Sequence, residues 1–368
     1  MKRFFFIVIP LFLFSGDPSD IKLLPPANHQ IYLGAFPDFG GSEDEVTTGK
    51  IRDFEALTGR GIVWACFSNN WYNGIRYPRE HIHAIHQAGV IPMVRLMPRS
   101  SDRQGEAENT FSLQRIIDGD FDSDLHRWAQ DAKLDGIPLL IDFAVEANGD
   151  WFGWSGVFNG GANTTGYGDP AYPDGPERYR DAYRHIIDIF NAEGVHHVTW
   201  AFHFNLDSSP QEDWNQPKYY YPGDAYIDWI GFSLYGAQKV TEEWEGLAFS
   251  TQLAEHYRQI YAVSQNKPVA VFEFGVTDGH PDGNKSVWWR DAFETILDNP
   301  YVSFGAVSPW HENWENEDGT FSLLRIDSSP SSLAVFNNWV AYPNFTDTPY
   351  FSAVYYGFFP AVYQLILQ

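Results

Sequence analysis

The chain has 368 residues, of which 44% are hydrophobic, so it can bury the core of two ordinary domains or of one large barrel. Its formal net charge of −24 argues against nucleic acids, anionic membranes and strongly anionic polymers as partners, because like charges repel. Aromatic residues make up 17% of the chain, which indicates that many rings lie outside the core, where they can stack on a neutral ligand.

The N-terminus has the pattern of a secretory signal. Lys2 and Arg3 precede an uncharged apolar run from Phe4 to Phe14, which at about eleven residues is too short to span a membrane comfortably. We therefore predict a signal peptide over residues 1–16 and a secreted protein, extracellular or periplasmic. The single cysteine, Cys66, lies in an apolar run, so we expect it to be buried and unpaired.

Strand-like apolar runs alternate with helical patterns along the chain. This alternation predicts βαβ units around a parallel sheet, and eight such runs favour a closed (β/α)8 barrel over an open sheet. No GxGxxG or Walker pattern follows an early strand, which counts against nucleotide binding. The predicted strands are Ile31–Phe36, Ile62–Phe67, Val90–Leu96, Leu139–Val145, Val198–Phe204, Trp229–Leu234, Val269–Phe274 and Val302–Val307.

The clearest predicted helix covers Arg178–Glu193, where apolar residues recur every three or four positions between Pro176 and Gly194. Asp122 is expected to be the N-cap of a helix over Leu125–Ala132. Further helices are predicted at Gly49–Leu57, Arg79–Gln87, Thr251–Val263, Val287–Leu297 and Ser332–Val340.

Two stretches fall outside this alternation. The connection Asp150–Gly175 is long and rich in Gly, Asn, Tyr and Trp, and on a barrel it would lie at the C-terminal face, where active sites occur. We expect one barrel domain over residues 25–345, followed by an apolar, aromatic tail over residues 346–368. The tail either packs on the barrel or contacts a membrane or a partner.

Two lone carboxylates end predicted strands. Alternation along the fourth strand predicts that one side is shared by Asp142, Ala144, Glu146 and Asn148, and along the seventh strand by Val269, Val271 and Glu273. Charged residues in apolar runs are rarely buried without a partner or a purpose. Two glutamates facing each other across a barrel mouth suit retaining glycoside hydrolysis, in which one attacks the anomeric carbon and the other handles the proton.

The segment that begins at Glu146 also matches a known motif. The pattern Glu-x-Asn-Gly-x-Trp-x-x-Trp is present at Glu146, Asn148, Gly149, Trp151 and Trp154. With the segments Val271–Gly275 and Asp228–Tyr235, and with Trp310, it resembles the clan A glycoside hydrolases and most of all family 26, which includes β-mannanases. The resemblance implies that Glu146 is the acid/base and Glu273 the nucleophile. It also implies that Tyr235 bonds the nucleophile and that Trp310 lies beneath the sugar.

Two positions depart from the family pattern. Asp142 stands where the family has an arginine, and Val145 stands where mannanases have a histidine that orients the site and contacts the sugar. These departures predict a divergent branch whose substrate is mannan or a related glycan such as β-xylan, β-glucan or an exopolysaccharide.

The remaining candidates are substrate contacts. Stacking platforms for a sugar are predicted at Trp151, Trp154, Trp310 and Trp314, and hydrogen bonds to hydroxyls at His203 and Asn205. Asn148 and Tyr235 are further predicted substrate-binding residues. We predict no cofactor and no metal, because no histidine or carboxylate run has a convincing ligand spacing. The expected partner is a polysaccharide or oligosaccharide, without nucleic acid or nucleotide, and the expected state is a monomer.

Two alternatives stay open. The departures at Asp142 and Val145 are also compatible with a catalytically inactive barrel that binds polysaccharide in exopolysaccharide handling. A metal-dependent hydrolase barrel is the weaker alternative, and it would lose activity in the presence of a chelator.

Overall fold

A computed structural model describes residues 20–353 of the chain. The predicted signal peptide over residues 1–16 lies outside this range, as does the predicted tail from residue 354 onward. Between residues 20 and 353, no helix combines the length and the apolar character needed to cross a membrane.

Parallel strands form the wall of a barrel. In chain order, the strands of the described residues are β1 (Leu23–Leu24), β2 (Ile31–Leu33), β3 (Phe36–Pro37), β4 (Trp64–Asn70), β5 (Ile91–Met97), β6 (Leu139–Phe143), β7 (Val198–Asn205), β8 (Trp229–Tyr235), β9 (Val269–Gly275), β10 (Phe304–His311), β11 (Asn313–Glu315), β12 (Phe321–Leu323), β13 (Phe345–Thr346) and β14 (Tyr350–Phe351). Neighbours pair in parallel in the order β2-β10-β9-β8-β7-β6-β5-β4.

The segment from β2 to β3 closes the ring. Val63 N donates to Leu33 O at 2.7 Å, and Ala35 N donates to Trp64 O at 3.1 Å, so the first and second predicted strands are joined. The same segment pairs with β10 on its other side. This closure confirms the predicted (β/α)8 barrel. All eight predicted strands are present, but the first is divided into β2 and β3, and the ends of the others move by up to four residues.

Helices cover the outside of the wall. They are α1 (Thr48–Thr58), α2 (Arg79–Gln87), α3 (Leu113–Ile117), α4 (Asp122–Asp135), α5 (Asp174–Ala192), α6 (Phe249–Val263), α7 (Lys285–Leu297) and α8 (Pro330–Val340). The prediction of Asp122 as an N-cap is wrong, because α4 begins at Asp122 itself and Phe121 occupies the cap position. The Asp122 carboxylate lies in the first turn, where its negative charge interacts favourably with the helix dipole. Its Oδ1 is 2.7 Å from His185 Nε2.

Side chains from alternate strand positions fill the barrel interior. Tyr32, Trp64 and Trp229 pack there with ring centroids 6.2–6.5 Å apart. Gly34 permits this packing, since a Cβ at that position would lie 2.2 Å from Trp64 Nε1. Cys66 belongs to the same cluster and is buried and free, as expected. The filled interior leaves the C-terminal ends of the strands as the open face.

The chain beyond the predicted domain boundary continues to pair with the barrel. β13 pairs in parallel with β2, and β14 pairs antiparallel with β1, so that Leu23 lies opposite Phe351. Residues 350–351 of the predicted tail therefore lie against the first strand of the described chain.

Candidate active site

Glu146 is delivered by a turn rather than by a strand. β6 ends at Phe143, and both Ala144 and Glu146 adopt left-handed backbone conformations, with φ of 51° and 54°. The predicted alternation therefore fails beyond Asp142. Such conformations cost non-glycine residues on the order of 1 kcal/mol each and are concentrated at functional sites. Glu146 N donates to His203 O at 2.9 Å, which anchors the turn to β7.

The spacing of the motif folds an indole back onto the glutamate. Trp151 Nε1 donates to Glu146 Oε2 at 2.9 Å. Gly149 makes this possible, because a Cβ there would lie 2.4 Å from the Trp151 ring. Gly149 N also donates to Glu146 O at 2.8 Å, closing the turn. The motif thus encodes a support for the carboxylate of Glu146.

Asn148 ties the turn to the loop after β7. Its Nδ2 donates to Asn205 O at 2.7 Å and to Ser208 Oγ at 3.0 Å, and its Oδ1 accepts from Asn205 N at 2.9 Å. The side chain is buried and both of its donors are used within the protein. In this structure Asn148 supports the loops, and its predicted contact with the substrate stays a prediction.

Glu273 points into the barrel because β9 is irregular. The register with β8 shifts after Phe232 and Val271, so that Ser233 lies opposite Glu273. Phe272 packs in the interior, whereas Val271 belongs to the cluster between the sheet and the helices. The predicted shared side of Val271 and Glu273 is therefore wrong, since a bulge of this kind reverses the alternation and redirects a side chain.

The Glu273 carboxylate is held by two side chains. Tyr235 OH donates to Oε2 at 2.8 Å, and Arg95 Nη1 forms an ion pair with Oε1. Burial raises the pKa of Glu273; the guanidinium of Arg95 opposes this rise, and the negative charge of Glu146 adds to it. The tyrosine bond is the contact that the family resemblance implied for the nucleophile.

Arg95 is a site residue that the sequence analysis missed. It lies on β5, is 3% exposed, and pairs with Glu43 as well as with Glu273. In the register of β5 and β6 it stands directly opposite Asp142, so the barrel supplies a guanidinium one strand away from the family's arginine position. The sequence feature that could have identified Arg95 is its position as the single charged residue in the apolar run Ile91–Met97.

His203 occupies the interior between two polar neighbours. Its Nδ1 lies 3.1 Å from Asp142 Oδ2 and its Nε2 lies 2.8 Å from Ser233 Oγ. Burial opposes the charged form of His203, but the hydrogen bond to Asp142 and the charge of Glu273 outweigh it and raise the pKa. Both ring nitrogens are engaged within the protein, and the contact of His203 with sugar hydroxyls stays a prediction. Asn205, by contrast, is half-buried at the rim.

The four predicted tryptophan platforms occupy different environments. Trp154 is buried, donates to Val145 O at 2.8 Å and stacks on Phe152, so it supports the turn and offers no open face. Trp151 is half-buried beside Glu146. Trp314 is half-buried on the β11–β12 hairpin, where its Nε1 donates to Asn316 Oδ1 at 3.1 Å.

Trp310 lies on the Glu273 side of the barrel. One face of its ring stacks on Phe36 with centroids 3.9 Å apart, and the Arg95 guanidinium lies 5.1 Å from the ring centroid. Its Nε1 donates to Glu312 Oε2 at 3.2 Å. Glu312 is a further carboxyl group that the sequence did not point to, and burial raises its pKa to about 7.

The long connection after β6 is anchored to the start of α5. Asp174 Oδ2 accepts from Gly166 N at 2.9 Å, and Glu177 Oε2 accepts from Asp169 N at 3.0 Å. Both carboxylates are buried. These hydrogen bonds hold the connection against the start of α5 at the C-terminal face of the barrel.

Across residues 20–353, no group of three or more His, Cys, Asp or Glu side chains is arranged to hold a metal ion.

The geometry defines a class of protein. A (β/α)8 barrel that carries two buried glutamates at the C-terminal ends of its strands, one of them bonded to a tyrosine and an arginine, has the architecture of the clan A glycoside hydrolases.

Comparison with known proteins shows which family the chain is similar to. Residues 105–282 match the model of glycosyl hydrolase family 26. Endoglucanase H of Acetivibrio thermocellus is 29% identical over 291 residues, which is 78% of this chain and 28% of that protein, so the chain spans just over a quarter of this relative. Mannan endo-1,4-beta-mannosidase A and B of Caldalkalibacillus mannanilyticus is 22% identical over 395 residues, covering 92% of this chain and 74% of that protein.

The fold has solved counterparts. The endo-beta-1,4-mannanase double mutant of Cellulomonas fimi superposes with a TM-score of 0.60 at 19% identity, covering 90% of this chain and 74% of that chain. The family match confirms the resemblance to family 26 that the strand-end motifs predicted, and this likeness confirms the barrel fold.

Proposed function

We propose that the chain is a retaining glycoside hydrolase that cleaves a β-linked polysaccharide, with Glu273 as the nucleophile and Glu146 as the acid/base. The supporting observation is the difference between their surroundings. Glu273 is paired with the Arg95 guanidinium, which favours the ionised form that a nucleophile requires. Among residues 20–353, Glu146 has no cationic partner and accepts one side-chain hydrogen bond, from Trp151.

The two carboxyl groups divide the reaction between them. The Glu273 carboxylate attacks the anomeric carbon while Glu146 donates its proton to the departing glycosidic oxygen, giving a covalent glycosyl-enzyme. Glu146 then removes a proton from a water molecule, which displaces Glu273 with a second inversion. Tyr235 and Arg95 hold the Glu273 carboxylate in one orientation during both steps.

The substrate that we propose is a neutral β-glucan or a mannan-type glycan. The net charge of −24 disfavours an acidic polymer. Val145 stands where mannanases have their histidine, and the similar proteins include an endoglucanase as well as mannosidases, which supports a β-glucan beside a mannan-type glycan. The N-terminal basic and apolar pattern supports export of the protein, and we propose that it acts as a monomer outside the cytoplasm.

Azide rescue tests the two roles. With an aryl β-cellobioside or β-mannobioside that has a good leaving group, Glu146→Ala and Glu273→Ala should each lose turnover by on the order of 10²–10⁴-fold. Azide should restore turnover of Glu146→Ala and give the β-glycosyl azide. With Glu273→Ala, azide should give the α-glycosyl azide, since it then takes the place of the nucleophile. Near-normal activity in either folded variant would contradict the assignment.

The substrate is tested by the release of reducing ends from mannan, β-xylan, mixed-linkage β-glucan and a bacterial exopolysaccharide. We expect release from β-glucan or mannan, with loss of that release in Glu273→Ala. Retained binding without release from any of these polymers would instead favour the inactive polysaccharide-binding barrel.

A further inference from the structure

Glu43 lies in a strained turn between β3 and α1. Its φ of 59° is in the left-handed region, which glutamate rarely adopts. The turn is fixed by backbone bonds, since Glu43 N donates to Gly40 O at 2.7 Å and Ser68 N donates to Glu43 O at 2.8 Å. Non-glycine residues held in this conformation are concentrated at functional sites, so the contacts of the Glu43 side chain are informative.

The Glu43 side chain completes a clamp on Arg95. Arg95 Nη2 and Ser68 Oγ both donate to Glu43 Oε2, and Arg95 Nε donates to Ser68 Oγ at 3.3 Å. The other terminal nitrogen of the same guanidinium, Nη1, donates to Glu273. Arg95 is therefore shared between two carboxylates in a buried setting, and one of these is the proposed nucleophile.

The sharing of this cation has an electrostatic consequence. A buried arginine paired with Glu273 alone would hold that carboxylate strongly in its ionised form and weaken it as a nucleophile. The negative charge of Glu43 opposes the guanidinium and raises the pKa of Glu273 in addition to the effect of burial. Glu43 also fixes the guanidinium in place, so it affects both the charge and the orientation of Glu273.

We propose that Glu43 is a positioning residue for the nucleophile, which holds Arg95 against Glu273 and offsets part of its charge. This inference rests on the proposed function. The other charged and titratable groups that act on Glu273 come from β4, β5, β7, β8 and the turn after β6: Cys66, Arg95, His203, Tyr235 and Glu146. Those that act on Glu43 from its own turn and from neighbouring loops are Asp44, Tyr72 and Glu312.

The test is the pH profile of kcat/KM for Glu43→Gln. Loss of the negative charge leaves Arg95 unopposed, so Glu273 should ionise at lower pH. The acidic limb of the profile should therefore move down by about one pH unit. kcat should fall by on the order of tenfold, with KM little changed, because the held geometry rather than binding is affected. Glu45→Gln is the matched control: Glu45 is in the same turn, is mainly exposed and pairs with Lys50, so its profile should equal that of the wild type.

A second variant separates charge from orientation. Ser68→Ala removes a hydrogen-bond partner of both Glu43 and Arg95 and keeps every charge, so kcat should fall while the acidic limb stays in place. The proposal is overturned if folded Glu43→Gln keeps the acidic limb of its kcat/KM profile at the wild-type pH. It is also overturned if Ser68→Ala keeps the wild-type kcat. If Glu43→Gln does not fold, the kcat of Ser68→Ala is the deciding measurement. If the wild-type protein cleaves no glycan, the proposed function is wrong. If the wild type is active, Glu146→Ala is inactive and the pH profile of Glu43→Gln does not move, only this inference is wrong.

Discussion

Trp151 donates a hydrogen bond to the carboxylate of Glu146, five residues earlier in the chain, and the neighbouring motif residues support this contact. Gly149 leaves room for the indole, and Asn148 fastens the turn to the next loop. Trp154 bonds the backbone of the same turn from its buried side. The motif residues thus contact the Glu146 carboxylate or the turn that carries it, and their contacts with a sugar stay predictions.

We predict that Trp151→Phe reduces activity in a way that depends on the leaving group. The substitution keeps the ring but removes the N–H donor to Glu146, so the acid is less well oriented. Cleavage of a polysaccharide, whose leaving group needs the proton, should fall by on the order of tenfold. For an aryl glycoside with a good leaving group, kcat/KM should change much less, because this parameter reports formation of the glycosyl-enzyme, a step in which that leaving group needs little protonation.

Trp154→Phe is the control for this prediction. It removes a buried hydrogen bond to Val145 O, so the free energy of unfolding should fall by about 1 kcal/mol while the ratio of the two activities stays at the wild-type value. Equal losses on both substrates in Trp151→Phe would show that Trp151 does not act through Glu146.

At the level of elements, one buried ammonium joins α7 to the segment that follows the β11–β12 hairpin. Lys285 Nζ donates to Leu323 O at 2.7 Å, to Arg325 O at 2.8 Å and to Ser328 Oγ at 3.0 Å. Burial lowers the pKa of Lys285 to about 7, although Asp278 and Asp327 oppose this shift. The hairpin carries Trp314 and follows the strand of Trp310, so its anchoring bears on the rim of the site.

The stability of the protein should depend on pH through Lys285. Its pKa is lowered from 10.5 to about 7 in the folded state, so between these values the unfolded chain binds the additional proton. The destabilising cost of the buried charge is fully present below pH 7 and is relieved as pH rises through that window. The free energy of unfolding of the wild type relative to Lys285→Met should therefore increase between about pH 7 and pH 10.

Urea unfolding of both proteins at several pH values measures this difference. Lys285→Met serves as the reference that lacks the titrating amine but keeps a long side chain. A difference that stays constant or falls with rising pH would exclude a proton-linked contribution from Lys285.

At the level of the whole molecule, barrel closure brings residues from distant strands to one face, and the net charge affects which polymers bind there. Arg95, Tyr235 and Glu273 come from β5, β8 and β9, and they meet only because these strands end at one face. The 48 acidic residues outnumber the 24 basic ones, so the face is approached through a negative field.

This field predicts discrimination between polymers by charge. For a neutral β-glucan and its carboxymethylated form, kcat/KM should be lower for the anionic polymer at low ionic strength. The gap should narrow as salt rises, because screening shortens the range of repulsion to about 10 Å at 0.1 M. A neutral oligosaccharide is the control, with a rate that does not depend on salt. A gap that is independent of salt would show that the discrimination comes from contacts within the cleft.

The sequence by itself determined the barrel and the two glutamates. Strand and helix periodicities are local, so eight runs were enough to predict the fold, and a lone carboxylate in an apolar run drew attention to Glu146 and to Glu273. Arg95 carried the same kind of signal, but its second carboxylate partner, Glu43, did not. Glu43 lies in a polar turn with other acidic residues, where nothing local distinguishes it.

Only the tertiary structure decided what each of these residues touches. Arg95 and Glu273 are 178 residues apart in the chain, and the burial of Asn148, His203 and Trp154 follows from neighbours that only the fold brings to them. The bulge in β9 reversed an alternation that the sequence predicted as regular. The physical reason is that hydrogen bonds and ion pairs across a barrel depend on register and closure, which no local pattern encodes.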